Sequence, residues 1–116
     1  MSRDAAVGRL VIVAYRPKPG QGEALRRLVL DHVPALRAAG LVTDRVPIAM
    51  EAEDGTLIEV FEWKSTDAIR AAHEHPAVRE MWERFGGVCD YVPVGEVAEA
   101  GQLFSEFAPL DSAARR

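Results

Sequence analysis

A chain of 116 residues with 48% apolar and 28% charged side chains is an ordinary single globular domain, neither disordered nor fibrous. Its net charge of −4, with arginines interspersed among Glu and Asp, excludes the basic stripe of a nucleic-acid binder. A single cysteine, Cys89, excludes an intrachain disulfide, and the longest early apolar run, Leu10 to Tyr15, is too short for a bilayer or a signal core, so a cytoplasmic protein with no nucleic-acid or membrane partner is expected.

Leu10 to Tyr15 is rich in β-branched residues and apolar on both sides, as in a strand covered on two faces. Pro17-Lys-Pro-Gly20 stops it. A first helix is predicted from Gln21 to Ala39, with Gly40 just past its end; Leu25, Leu28, Val29, His32, Val33 and Leu36 share one face. Pro34 inside that pattern removes a hydrogen bond to Leu30 and predicts a kink. Two strands follow, Val46 to Glu53 and Thr56 to Lys64, joined at Asp54-Gly55 as a type I′ hairpin. Ser65 or Thr66 caps a second helix, which Pro76 shifts in register or splits. Its stripes are Ile69, Ala72 and His73, then Val78, Met81, Trp82, Phe85 and Cys89. A fourth strand is expected from Tyr91 to Ala98, then the apolar segment Leu103 to Phe107 and a polar tail.

The order β-α-β-β-α-β predicts an α+β protein of the ferredoxin-like type: a four-stranded antiparallel sheet with two helices on one face. One domain spans residues 9–110, between flexible ends at 1–8 and 111–116. Apolar residues on both sides of the sheet cannot leave the helix-free face in water, so a second copy of the chain is expected to cover it.

Three features together resemble the antibiotic-biosynthesis-monooxygenase-like family of the dimeric α/β-barrel superfamily. They are the strand followed by Arg16-Pro-Lys-Pro-Gly-Gln21, then Glu62-Trp63-Lys64-Ser65 with Ala68-Ile69, then His75-Pro76. The resemblance covers about Arg9 to Val97 and implies a homodimer in which two sheets appose into a shared barrel. It also implies a pocket for a small aromatic or polyketide-like molecule and oxidation by dioxygen without a bound cofactor. On that reading Leu103 to Phe107 crosses to the partner's sheet edge. The chain departs from the pattern where many relatives carry a pocket histidine: Ala72 stands there, with His73 beside it. Relatives that degrade haem use an Asn, Trp and His set, and this chain has no asparagine, which disfavours that activity.

The chemistry-bearing candidates are few. His73 and His32 lie on the apolar stripes of the two helices and offer a proton shuttle or a hydrogen bond to a bound phenolate or enolate; the structural alternative is a packed imidazole bonded to a carbonyl. Glu59 alternates with Leu57, Phe61 and Trp63 and so falls among apolar neighbours, where it can serve as a base, pair with an arginine across a dimer, or be turned to the other face by a bulge. His73 and Glu59 are the candidate catalytic pair. Tyr15, His32, Phe61, Trp63, Trp82 and Phe85 are candidates to line a flat aromatic pocket, or simply to form core. The three histidines and Cys89 lack metal-ligand spacing, so no metal is expected, and no nucleotide-binding loop or nucleophile elbow occurs. The expected function is a cofactor-independent monooxygenase; the alternatives are a non-catalytic ligand-binding or subunit protein of the same fold, or a proton-transfer isomerase.

Overall fold

The computed structural model describes residues 7–110, so the tail expected at 111–116 and most of that at 1–8 lie outside the described residues. Strand β1 (Arg9–Pro17) leads into helix α1 (Gly22–Ala38), then β2 (Ile48–Glu51), β3 (Leu57–Trp63), α2 (Thr66–Ala72), α3 (Pro76–Val88) and β4 (Cys89–Val92). Two 3₁₀ turns (Val94–Glu96 and Ala98–Gly101) and a two-residue strand β5 (Ala108–Pro109) complete the described chain. The strands form one antiparallel sheet in the order β4-β1-β3-β2-β5. The class is therefore α+β with the ferredoxin-like strand order, extended by a fifth strand.

Helix α1 buries Leu25, Val29, His32, Val33 and Leu36, the single stripe that its sequence spacing predicts. Gly40 adopts φ +77°, the left-handed residue that ends it. Pro34 does not interrupt α1, which continues to Ala38; Leu30 and Pro34 both lie on the exposed side, where water reaches the carbonyl that Pro34 leaves without a partner. Pro76, in contrast, does divide the second helical stretch. It opens α3 at a first-turn position that needs no N–H, and His75 before it is extended. Ser65 Oγ accepts the Ala68 N–H at 3.0 Å and caps α2.

Two expectations need correction. The β2–β3 turn is not type I′, because only Gly55 has a positive φ (+92°). Ala52 and Thr56 instead close a three-residue loop, with Gly55 N–H on the Ala52 carbonyl at 3.0 Å and Thr56 N–H on Asp54 Oδ1 at 2.9 Å. The bond from the Thr56 N–H holds the Asp54 carboxyl below the usual carboxylate range. The fourth strand stops at Val92 rather than Ala98, because Pro93 cannot donate to the ladder.

The sheet's two faces are covered differently. Both helical layers pack on the face carrying Tyr15, Leu57, Phe61 and Trp63, and the main core lies there. On the other face, the turns after β4 bring Val97, Ala100 and Phe107 onto Ala14, Ala52, Ile58 and Met50, a second, smaller core. The chain then pairs with its own β2 through β5, and Arg26 ties the Leu110 carbonyl to α1 at 2.7 Å. Of the segment Leu103 to Phe107, Phe107 packs on the chain's own sheet while Leu103 and Phe104 are exposed. Beyond that cover, Leu10, Ile12 and Ile48 remain more than half exposed.

Gly55→Ala should destabilise the fold by about 1 kcal/mol, since φ +92° strains any side chain although the nearest neighbour, Pro17 Cγ, leaves room at 3.8 Å. Gly22→Ala, in open space at the first turn of α1, should be neutral or stabilising. Urea unfolding of the two variants checks this contrast.

Candidate functional site

Strand alternation decides the site. The β1–β3 register runs unbroken from Arg9↔Trp63 to Tyr15↔Leu57, so no bulge intervenes and Glu59 stays on the helix-covered face between Val13 and Ala49. It is 2% exposed, and its partners are within its own chain. Tyr15, two places beyond Val13 on β1, donates its hydroxyl proton to Glu59 Oε1 at 2.7 Å. His32, on the buried stripe of α1, brings Nδ1 to the same oxygen at 2.8 Å. From α3, Trp82 places its indole Nε1 3.1 Å from His32 Nε2.

The indole settles the protonation of this chain of groups. An indole N–H only donates, so His32 Nε2 is the acceptor and Nδ1 carries the imidazole proton, which it donates to Glu59. His32 is thus neutral, and the short Nδ1–Oε1 approach is a hydrogen bond rather than an ion pair. Burial, and next the Glu59 carboxylate, push the Tyr15 hydroxyl far above its ordinary value, so it stays protonated and donating. Edge-on rings fix the imidazole: Phe61 lies at 5.5 Å and Phe85 at 5.1 Å between centroids.

Above these groups lies a cleft of about 380 Å³ between the sheet and α3. Tyr15, His32, Phe61, Trp63 and Trp82 line it, together with Val11, Val13 and Tyr91. Five of the six candidate pocket residues therefore meet at one cleft. Phe85 does not line it; it is fully buried beneath, stacked on Tyr15 at 5.0 Å. His73 is also outside. It is exposed at the end of α2, donates Nδ1–H to the Ile69 carbonyl at 2.9 Å, and rests against the outer side of Trp82 with ring centroids 5.2 Å apart. The structure joins Glu59 to His32, not to His73.

Val11, Val13 and Tyr91 line the cleft without having been singled out from the sequence, and of these Tyr91 alone carries a polar group. Its signal was its place in β4: it pairs directly with Tyr15, on the same side of the sheet. Burial, then neighbouring Cys89 and Glu59, push its hydroxyl up to about 12. Cys89, at the foot of α3, is buried and its thiol is raised to about 11 chiefly for the same reason, which makes it a packing residue and not a nucleophile. Among the described residues, no three His, Cys, Asp or Glu side chains gather as a metal site, and no helix is long and apolar enough to cross a membrane.

Fold and site together define an α+β sheet protein with an aromatic cleft and a buried acid–imidazole pair at its floor. No protein-family model matches the chain, and no curated protein matches its sequence.

Three acids that resist ionisation, the buried Tyr15 and Cys89 and the more exposed Tyr91, predict alkaline sensitivity. Each has a folded-state value above its unfolded one, so its contribution is complete below the unfolded value and is lost as pH rises toward the folded one. Unfolding free energy should therefore start to fall near pH 9.0, where the unfolded Cys89 thiol ionises, and continue past 10.0 as Tyr15 and Tyr91 ionise in the unfolded chain. In Tyr15→Phe the slope above pH 10.0 should be shallower than in the parent, measured by urea titration across that range.

Proposed function

We propose that the aromatic cleft binds a flat, hydroxylated aromatic or polyketide-like molecule and that His32, oriented by Glu59, takes its proton. One observation carries this reading: a buried carboxylate holds Nδ1 of an imidazole whose Nε2 faces an aromatic cleft. A substrate hydroxyl that replaces the Trp82 indole at Nε2 delivers its proton there, and Glu59 stabilises the imidazolium that forms. Trp82 is only partly buried and so has room to yield. The apolar walls exclude water from the resulting phenolate or enolate.

Such an anion supplies electrons to dioxygen directly. The anion's carbon adds dioxygen and takes the proton from the imidazolium to give a hydroperoxide; loss of that carbon's remaining hydrogen breaks the O–O bond, leaving a carbonyl and one water, so the substrate supplies all the electrons and no bound cofactor is required. This is the chemistry implied by the likeness of the Arg16–Gln21, Glu62–Ser65 and His75-Pro76 segments to the antibiotic-biosynthesis-monooxygenase-like family. The geometry favours His32 over His73 as the proton acceptor. Oxygen uptake with a panel of hydroxylated aromatics should be substrate-dependent, fall about 100-fold or more in His32→Ala, fall also in Glu59→Gln, and persist in His73→Ala. Product formed equally under argon would point to proton-transfer isomerisation instead.

The Trp82–His32 bond favours a second reading, a non-catalytic binding protein. With Nε2 already satisfied, the cleft can take an apolar ligand without any proton moving. Ligand-induced quenching of Trp82 fluorescence with no oxygen uptake or isomerised product supports it.

We also propose a homodimer. Leu10, Ile12 and Ile48 form an exposed apolar band on the helix-free face, in register with the half-buried Val60, and Leu103 and Phe104 stand out beside the described chain's final turn. A second copy laid on this band removes it from water. Sedimentation should give twice the mass of 12.7 kDa, and Ile12→Lys should yield a folded monomer. A monomeric parent at micromolar concentration overturns the assembly.

A further inference from the structure

Glu59 lies behind the aromatic cleft, bonded to two of its lining residues, and does not itself line it. Its Oε1 accepts both Tyr15 and His32 on the side of the aromatic cleft, while Oε2 receives no hydrogen bond from any described residue. No Lys or Arg pairs with it among the described residues, and the one imidazole beside it is neutral. Glu59 instead lines a separate cleft of about 500 Å³ between α1 and the β2 edge, walled by Val29, Val33, Val46, Ala49 and Phe107. Every other residue around that cleft is apolar. The Glu59 side chain, 2% exposed, thus has no protein donor on Oε2 and no cationic side chain beside it, while it contributes the one polar group to an apolar cavity.

We propose that this second cleft binds a small organic amine: an apolar body seated against Val29, Val33 and Ala49, with its ammonium donating to Glu59 Oε2. An ammonium completes the carboxylate's acceptor set and supplies the missing charge where solvent is scarce, which a neutral hydroxyl does not. The inference rests on the geometry of Glu59 and does not depend on what the aromatic cleft does.

Titration calorimetry with benzylammonium and with its neutral counterpart benzyl alcohol, near neutral pH, tests it. Benzylammonium should bind about tenfold or more tightly than the alcohol, the difference a charged hydrogen bond confers. That preference should vanish in Glu59→Gln. Ala49→Leu, which fills the cleft beside Glu59, should abolish binding, as should Val46→Trp at its exposed mouth; Val11→Trp, which fills the aromatic cleft opposite Phe61, should leave it intact. The ¹⁵N resonance of His32 Nδ1 should move on addition of the amine. Equal binding of amine and alcohol, or no binding by the folded parent at about millimolar concentration, overturns the proposal. So does an amine displaced by Val11→Trp and not by Ala49→Leu or Val46→Trp, which would locate it in the aromatic cleft and leave the reading of that cleft standing.

Discussion

The structure turns on one carboxylate. Glu59 occupies the middle of the central strand pair, on the face where both helical layers pack, and its burial has to be offset by donors that only tertiary neighbours can bring. Tyr15 comes from the adjacent strand and His32 from α1, so the same oxygen anchors a helix to the sheet. Trp82 extends the chain of bonds to α3. A sheet, two helices and a cleft are thereby held in one arrangement by four side chains, and apolar packing alone, which is tolerant of small slips, would not impose that uniqueness.

The same arrangement explains why the cleft has chemical potential at all. An imidazole held by a carboxylate at one nitrogen is oriented and, once protonated, stabilised; its other nitrogen is directed at an aromatic chamber. Trp82 occupies that nitrogen in the structure, so on the proposed reading a ligand reaches it only by displacing the indole. His73 packs against the same indole and is not among the residues lining the cleft.

The helix-free face is covered in part by the chain itself and left open in part. Small side chains at Ala14 and Ala52 let the returning chain settle closely there, with Val97 buried against them. The band around Ile12 and Ile48 keeps bulky aliphatic residues and receives no such cover from the described chain. The division follows the sequence of turns after Pro93.

Local pattern in the sequence was enough for the first three strands, α1, the Ser65 cap and the break at Pro76, because each depends on periodicity, φ restriction or a side chain bonding its own backbone. Alternation alone also put Glu59 among Leu57, Phe61 and Trp63. The turn at Asp54-Gly55 and the early end of the fourth strand are local outcomes that the pattern misjudged. What it did not carry were outcomes set by distant neighbours: the chain after β4 folds back onto its own sheet and adds a fifth strand. Above all, nothing in the spacing of His32, His73 and Glu59 said which histidine meets the carboxylate. The 27 residues between His32 and Glu59 are bridged only when α1 lies across β3, so the pairing belongs to tertiary packing and not to any stretch of sequence.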